Sequence, residues 1–152
     1  MNYFDQHEYD VRFEWGLSGV EALLPVSDVM IIVDVLSFTT CVDVVLGRGG
    51  VVFPYRGDEG NLAAFAEEVE ALVASKKRDH AAAYTLAPTS LLQIPHGTRL
   101  VLPSPNGSLL SLATGEVPTL AGCLRNAKAV AQKAALLGKR ISVIAAGERW
   151  WP

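Results

Sequence analysis

Four short stretches of the chain gather small hydroxyls, amides, glycines and single charged groups of the kind that hold an oxyanion. They are Asp34 with Ser37, Thr39 and Thr40; Ser104, Asn106 and Ser108; Arg125 with Asn126; and Gly147 with Glu148. Where such residues open a helix, unpaired backbone N–H groups and the positive end of the helix dipole favour phosphate. Arg125 could add a two-pronged clamp on phosphoryl oxygens, and Asp34 could hold a magnesium ion that neutralises them. Each has a plainer use. Ser37, Thr39 and Ser108 could simply cap helices, Asn106-Gly107 is a common turn dipeptide, and Arg125 alone could be a surface residue. Asp34 is harder to dismiss, because a carboxylate closing a buried apolar strand needs partners or a metal to offset its desolvation.

The elements that must position these residues follow from the apolar pattern. Val29 to Val35 is almost wholly apolar and β-branched, which predicts a central strand buried on both faces, as in a parallel sheet. Ser37 or Thr39 can cap a helix running to about Leu46, broken by Gly47, Gly49 and Gly50, and Val51 to Tyr55 is the next strand. Upstream, Val11, Phe13 and Trp15 alternate with Arg12 and Glu14, the pattern of an edge strand with one wet face. Ser18 and Glu21 have capping-box spacing for a short helix, Gly19 to Leu24, which Pro25 ends. Downstream, Asn61 can cap a helix from Leu62 to Ala74, and Ala82 to Thr85 is a weaker strand. Arg99 to Leu102 is a strand, residues 104 to 107 a turn and Ser108 to Ala113 a helix. Thr119 to Ala121 and Ile141 to Ala145 are the last strands, separated by a helix from Ala127 to Leu137 that Gly138 terminates. Alternating strands and helices imply right-handed βαβ units in a three-layer α/β/α fold with a largely parallel sheet. In such sheets ligands sit beyond the carboxyl ends of the strands, where the four stretches fall.

Composition narrows the function classes. The chain has 152 residues, half of them hydrophobic, which suffices for one domain with a real core. A net charge of -3, with no basic run longer than Lys76 to Arg78, argues against nucleic-acid and membrane-surface partners; that run reads as a solvated helix end. The first residues lack the basic and apolar regions of a leader, and no stretch approaches the roughly 20 apolar residues of a membrane span, so a cytoplasmic protein is expected. Cys41 and Cys123 have no pairing motif and read as buried reduced thiols, and His7, His80 and His96 lack ligand-like spacing.

Two phosphate signatures are excluded: Gly47-Arg48-Gly49-Gly50 lacks the ending of a P-loop, and nothing fits the dinucleotide fingerprint. IIVDVLSFTT at 31 to 40 resembles the nucleophile motif of haloacid-dehalogenase phosphatases, but Leu36 stands where their general-acid aspartate would be. A better match is the 2-phosphosulfolactate phosphatase (ComB) family, magnesium-dependent hydrolases associated with coenzyme M biosynthesis. The resemblance rests on that same stretch, on SPNGS at 104 to 108, on GCLRNA at 122 to 127 and on VIAAGE at 143 to 148, in this order.

The resemblance implies a ComB-like fold and places Asp34 with its following hydroxyls, Asn106 with Gly107, Arg125 with Asn126, and Gly147 with Glu148 around a phosphate and Mg²⁺ site. In that reading Asp34 and Glu148 serve the metal, Glu148 alternatively positioning the attacking water; direct attack by a carboxylate stays open. The chain departs from the family at Ser37, often arginine there, which bears on the sulfolactate substrate; at Ser104-Pro105, often threonines; and at Leu86-Ala87-Pro88, often Asn-Ser-Pro. Family members continue beyond the loop after the last strand, so the fold is expected to be incomplete at its carboxyl end, with Trp150 and Trp151 packing on a further segment or on a partner. The activity expected is hydrolysis of the phosphate monoester of a small hydroxy acid. The alternative is a non-catalytic, anion-binding or oligomer-forming version of this fold, with a homo-oligomer as a possible state.

Overall fold

A computed structural model describes residues 6–56, 59–75 and 82–147. Glu148, Trp150, Trp151, His80 and the run Lys76 to Arg78 lie outside the described residues. The order is β1 (Val11–Trp15), α1 (Gly16–Leu23), β2 (Val29–Val33), α2 (Phe38–Gly47), β3 (Val51–Tyr55), α3 (Glu59–Glu68), β4 (Leu72–Val73), β5 (Arg99–Pro103), α4 (Gly107–Ala113), β6 (Thr119–Gly122), α5 (Ala127–Leu137) and β7 (Ile141–Ala145). The fold is α/β. All strand pairs are parallel, and they divide into a four-stranded sheet ordered β1-β7-β2-β6 and a three-stranded sheet ordered β3-β5-β4.

β2 is the buried centre that its β-branched run predicts. Met30 and Ile32 pack with Val20 and Leu23 of α1, Leu110 of α4 and Ile144 of β7. Val29 and Ile31, on the opposite face, pack with Ala134 of α5. A strand alternates its side chains between faces, so covering both faces makes three layers. The second sheet packs on α2, where Phe38, Cys41 and Val45 meet Leu100 and Leu102 of β5. Cys41 and Cys123 are buried and carry no disulfide. Among the described residues, no helix is long and apolar enough to cross a membrane.

Four local expectations are corrected. β1 is an edge strand, but its wet and dry faces are exchanged: Trp15 is 59% exposed, with Val11 and Phe13 also open, whereas Arg12 is 4% exposed. The inner face lies against backbone carbonyls, and the Arg12 guanidinium donates to the carbonyl oxygens of Gln6, at 3.0 Å, and Val26. α1 starts at Gly16, directly after β1, with no side-chain cap. Gly16 has φ +61, which lets the chain turn straight from strand to helix and leaves Ser18 inside the first turn. Pro25 sits in the following 3-10 turn, Leu24–Val26.

The helix expected to reach Ala74 ends at Glu68, and Asn61 lies within it rather than capping it. Glu70 takes φ +50, the Ala71 N–H returns to the Ala66 carbonyl at 2.9 Å, and Leu72–Val73 leaves as β4 beside Leu100 and Val101. Strand pairing outweighs the helical period there. Ala82 to Thr85 is no strand; a single bridge joins Ser75 to Thr85, and Thr85 is held by Ser90, whose Oγ accepts the Thr85 N–H at 3.0 Å.

The open edge of β1 is closed locally. The Ile141 N–H of β7 donates to Asp10 O at 2.8 Å, so alternate residues Val11, Phe13 and Trp15 direct their backbone polar groups outward. Phe13 meets the Gln6 carboxamide there: its N–H donates to Oε1 at 3.1 Å, and its carbonyl accepts from Nε2 at 2.9 Å.

At the opposite, amino-terminal ends of the strands, Asp28 ties the entrance of β2 to that of β7. It accepts from Arg140 Nε at 3.0 Å and from the backbone N–H groups of Arg140 and Lys139 at 2.9 and 3.1 Å. The Arg140 guanidinium first, then those N–H groups, hold its carboxyl well below the usual carboxylate range. A lowered folded value contributes stability above the unfolded pKa, about 3.9, that is lost as pH falls through the folded one. Asp28→Asn is therefore expected to lower the melting temperature relative to the parent at neutral pH, with the gap closing as the pH is brought below about 4; melting curves across that range check it.

Candidate functional site

Parallel pairing in register brings the carboxyl ends of the four-stranded sheet to one edge: Trp15 and Val33 both lie beside Ala145, and Val33 also beside Gly122. Because β2 lies between β7 and β6, the loop carrying Asp34 sits between the loops carrying Gly147 and Arg125. The Ala146 N–H donates to the Val33 carbonyl at 2.9 Å and fixes the exit of β7 against that of β2.

Asp34 is partly buried, and the hydroxyls after it hold its loop. The Thr39 Oγ1 accepts the Asp34 N–H at 3.1 Å, while the Thr39 N–H donates to the Asp34 carbonyl at 3.0 Å. Thr40 Oγ1 donates to Val35 O at 2.8 Å, and Ser37 Oγ donates to the Leu86 carbonyl. Ser37 occupies the cap position of α2, yet no side chain caps that helix. The three hydroxyls therefore brace the backbone on either side of Asp34.

On the second sheet, Ser104 Oγ accepts the Gly107 N–H at 3.1 Å, and the fully buried Ser108 donates to Leu102 O at 2.8 Å. These bonds shape the turn at the start of α4. From it Asn106 Nδ2 reaches the Gly147 carbonyl at 3.3 Å, joining two predicted site residues from loops 41 positions apart. That contact orients the amide, because the reverse orientation would set two acceptors against each other. The Asn106 Oδ1 then lies buried with no hydrogen-bond partner among the described residues.

Beyond β6, Asn126 stands at the start of α5 but closes its own loop: Oδ1 accepts the Cys123 N–H at 2.8 Å and Nδ2 donates to Ala121 O at 3.0 Å. Arg125 projects outward and its Nε donates to Asp43 Oδ2 at 2.9 Å. Asp43 is the residue that the sequence reading missed. Its signal is present, since it is the one carboxylate in an otherwise apolar and hydroxylic helix, FTTCVDVVLG.

Five of the predicted residues line two separate clefts. One, of about 410 Å³, takes in Ser37, Thr40 and Arg125; the other, of about 370 Å³, takes in Asn106 and Gly147 beside Trp15 and Leu17. Thr39, Ser108 and Asn126 line neither and act on the backbone. Among the described residues, no three His, Cys, Asp or Glu side chains converge on a metal position. Magnesium usually asks for only one or two protein carboxylates and takes its remaining ligands from phosphate and water. Asp34 lines neither cleft, but its loop leaves β2 between the strands whose loops border them, and one carboxylate there is compatible with that modest demand.

A scan against protein-family models finds no match for the chain, and no curated protein matches it.

Proposed function

We propose that this chain is a magnesium-dependent phosphoric monoester hydrolase acting on the phosphate ester of a small hydroxy acid, with 2-phosphosulfolactate as the first substrate to try. The observation that carries the reading is the placing of Asp34: a carboxylate at the end of the central buried strand, braced by Thr39, between loops that carry Arg125 on one side and Asn106 with Gly147 on the other. In the proposed site Asp34 would hold the metal with Glu148, and the metal, when bound, supplies charge neutralisation at the phosphoryl oxygens. Arg125 contributes a positive charge on the same side. Asp43 restrains its guanidinium through Nε, so its terminal nitrogens are pre-oriented. The bond from Asn106 to Gly147 keeps the turn at α4 and the β7 loop together as one wall. Glu148 serves alternatively to position the attacking water, and attack by a carboxylate itself is the competing route. A cytoplasmic location belongs to the same reading.

A second reading has its own support. The hydroxyls of Ser37, Thr40 and Ser108 all donate to backbone carbonyls, and Arg125 is paired with Asp43, which weighs against turnover and so for the non-catalytic version of this fold. The uncovered apolar face of β1 favours a homo-oligomer under either reading.

Phosphate release from 2-phosphosulfolactate, phospholactate and an aryl phosphate, with Mg²⁺ and with a chelator, separates the two. Release that the chelator abolishes and Mg²⁺ restores is the expected result; silence with every substrate rejects the hydrolase and leaves the anion-binding protein.

A further inference from the structure

The cleft that holds Arg125 is unusual for the mouth of an anion site. Its lips are Leu36, 85% exposed, and Leu124, 84% exposed, on the loops that leave the paired strands β2 and β6. Val35, Ala87 and Pro88 form much of the rest. A single exposed leucine needs no explanation, but two that flank one concave space of about 410 Å³ make a binding-sized apolar surface. The hydroxyls bordering it face away in the sense that matters: Ser37 donates to Leu86 O and Thr40 to Val35 O. Arg125 is the one charged residue lining the cleft among the described residues, and Asp43 offsets part of its charge.

From this we infer that the cleft takes the organic side chain of the substrate and selects an aliphatic one. The ligand class is a phosphate monoester of a 2-hydroxy acid whose side chain is a short or branched alkyl group, in place of a sulfonate. The inference rests on the hydrolase reading for the phosphate end and on Leu36, Leu124 and Pro88 for the other. A sulfonate in this position would bring a further negative charge among aliphatic groups with one already paired cation to meet it, and would lose its hydration without replacement donors. An alkyl chain removes apolar surface of its own and of both leucines from water.

The test is a homologous series: the 2-phosphates of lactate, 2-hydroxybutyrate, 2-hydroxyvalerate and 4-methyl-2-hydroxyvalerate, beside 2-phosphosulfolactate. For the full chain with Mg²⁺, kcat/KM is expected to rise about threefold to fourfold per added methylene, the gain that burying one such group gives, and to exceed that for 2-phosphosulfolactate. Leu36→Asn and Leu124→Asn, at positions too exposed to endanger folding, are expected to flatten the series, with the loss growing with the length of the alkyl chain. A flat series in the parent protein, or a preference for the sulfonate, overturns the inference and leaves the hydrolase standing. Titration calorimetry with the matching alkylphosphonates reads the cleft without turnover. Affinity that grows with chain length and is levelled by the two variants upholds the inference even if no ester is hydrolysed, in which case the hydrolase reading falls instead. Absence of any phosphonate binding overturns it.

Discussion

Asp34→Asn is expected to reduce Mg²⁺-dependent phosphate release by at least about 10²-fold to 10³-fold, the loss typical of removing one group that stabilises charge in the transition state. The substitution keeps the shape of the side chain and leaves untouched the two backbone bonds by which Thr39 holds this residue. What changes is the negative charge at the end of β2. A metal held there would be bound more weakly, so raising Mg²⁺ should recover part of the rate. Steady-state kinetics over a range of Mg²⁺, with a melting curve for each protein, separate this outcome from misfolding. An unchanged rate would remove Asp34 from the proposed machinery, whatever the fate of the rest of the site.

Gly107→Ala is expected to destabilise the fold by about 1–3 kcal/mol through overpacking. A Cβ at this position would stand 2.2 Å from Cδ1, 2.4 Å from Cγ and 2.6 Å from Cβ of Phe38, far inside the normal carbon separation of roughly 3.5–4 Å. Phe38 cannot swing away cheaply, because it is fully buried in the core formed by α2 and β5. Either the ring is displaced or α4 backs off from α2, and the turn holding Asn106 moves with it. For a domain of this size each kcal/mol is worth about 2–4 °C, so the melting temperature should fall by roughly 2–12 °C. Phe38→Leu in the same chain should return part of the loss. That coupling would identify the ring, and not the backbone of Gly107, as the cause.

The parts of the fold that were legible in the sequence are those set by one strong local signal. The β-branched run around Ile31 and Ile32 could only be a doubly buried strand, and that placed Asp34 at its carboxyl end. Gly138 marked the end of α5. Around Leu72 and Val73, in contrast, a helical spacing and a two-residue strand use the same letters, and nothing announces that Glu70 will take a positive φ. In β1 the alternation revealed the strand but not which side would be covered. Period two fixes that residues alternate, and tertiary packing decides the face. Arg12 is buried because carbonyls happen to converge on it.

The site divides the same way. The loops of the proposed site were nominated because ligands gather where parallel strands end, whereas the partners of their side chains could not be read. Ser37 is tied to Leu86, 49 residues on, and Arg125 to Asp43, 82 residues back. Such pairs leave no trace in local spacing, so the bonds by which these hydroxyls brace their loops could not be read from it.

The carboxamide of Gln6 on Phe13 has a consequence for how these molecules can meet. One side chain there supplies the donor and the acceptor that a neighbouring backbone would offer, and so acts as a one-residue counterfeit of the next strand. The backbone carbonyl of Gln6 accepts from the buried Arg12 guanidinium, which holds the residue in place beside the strand. A chain arriving from another molecule to lengthen the sheet must first evict this plug. Sideways polymerisation through β1 is thereby disfavoured.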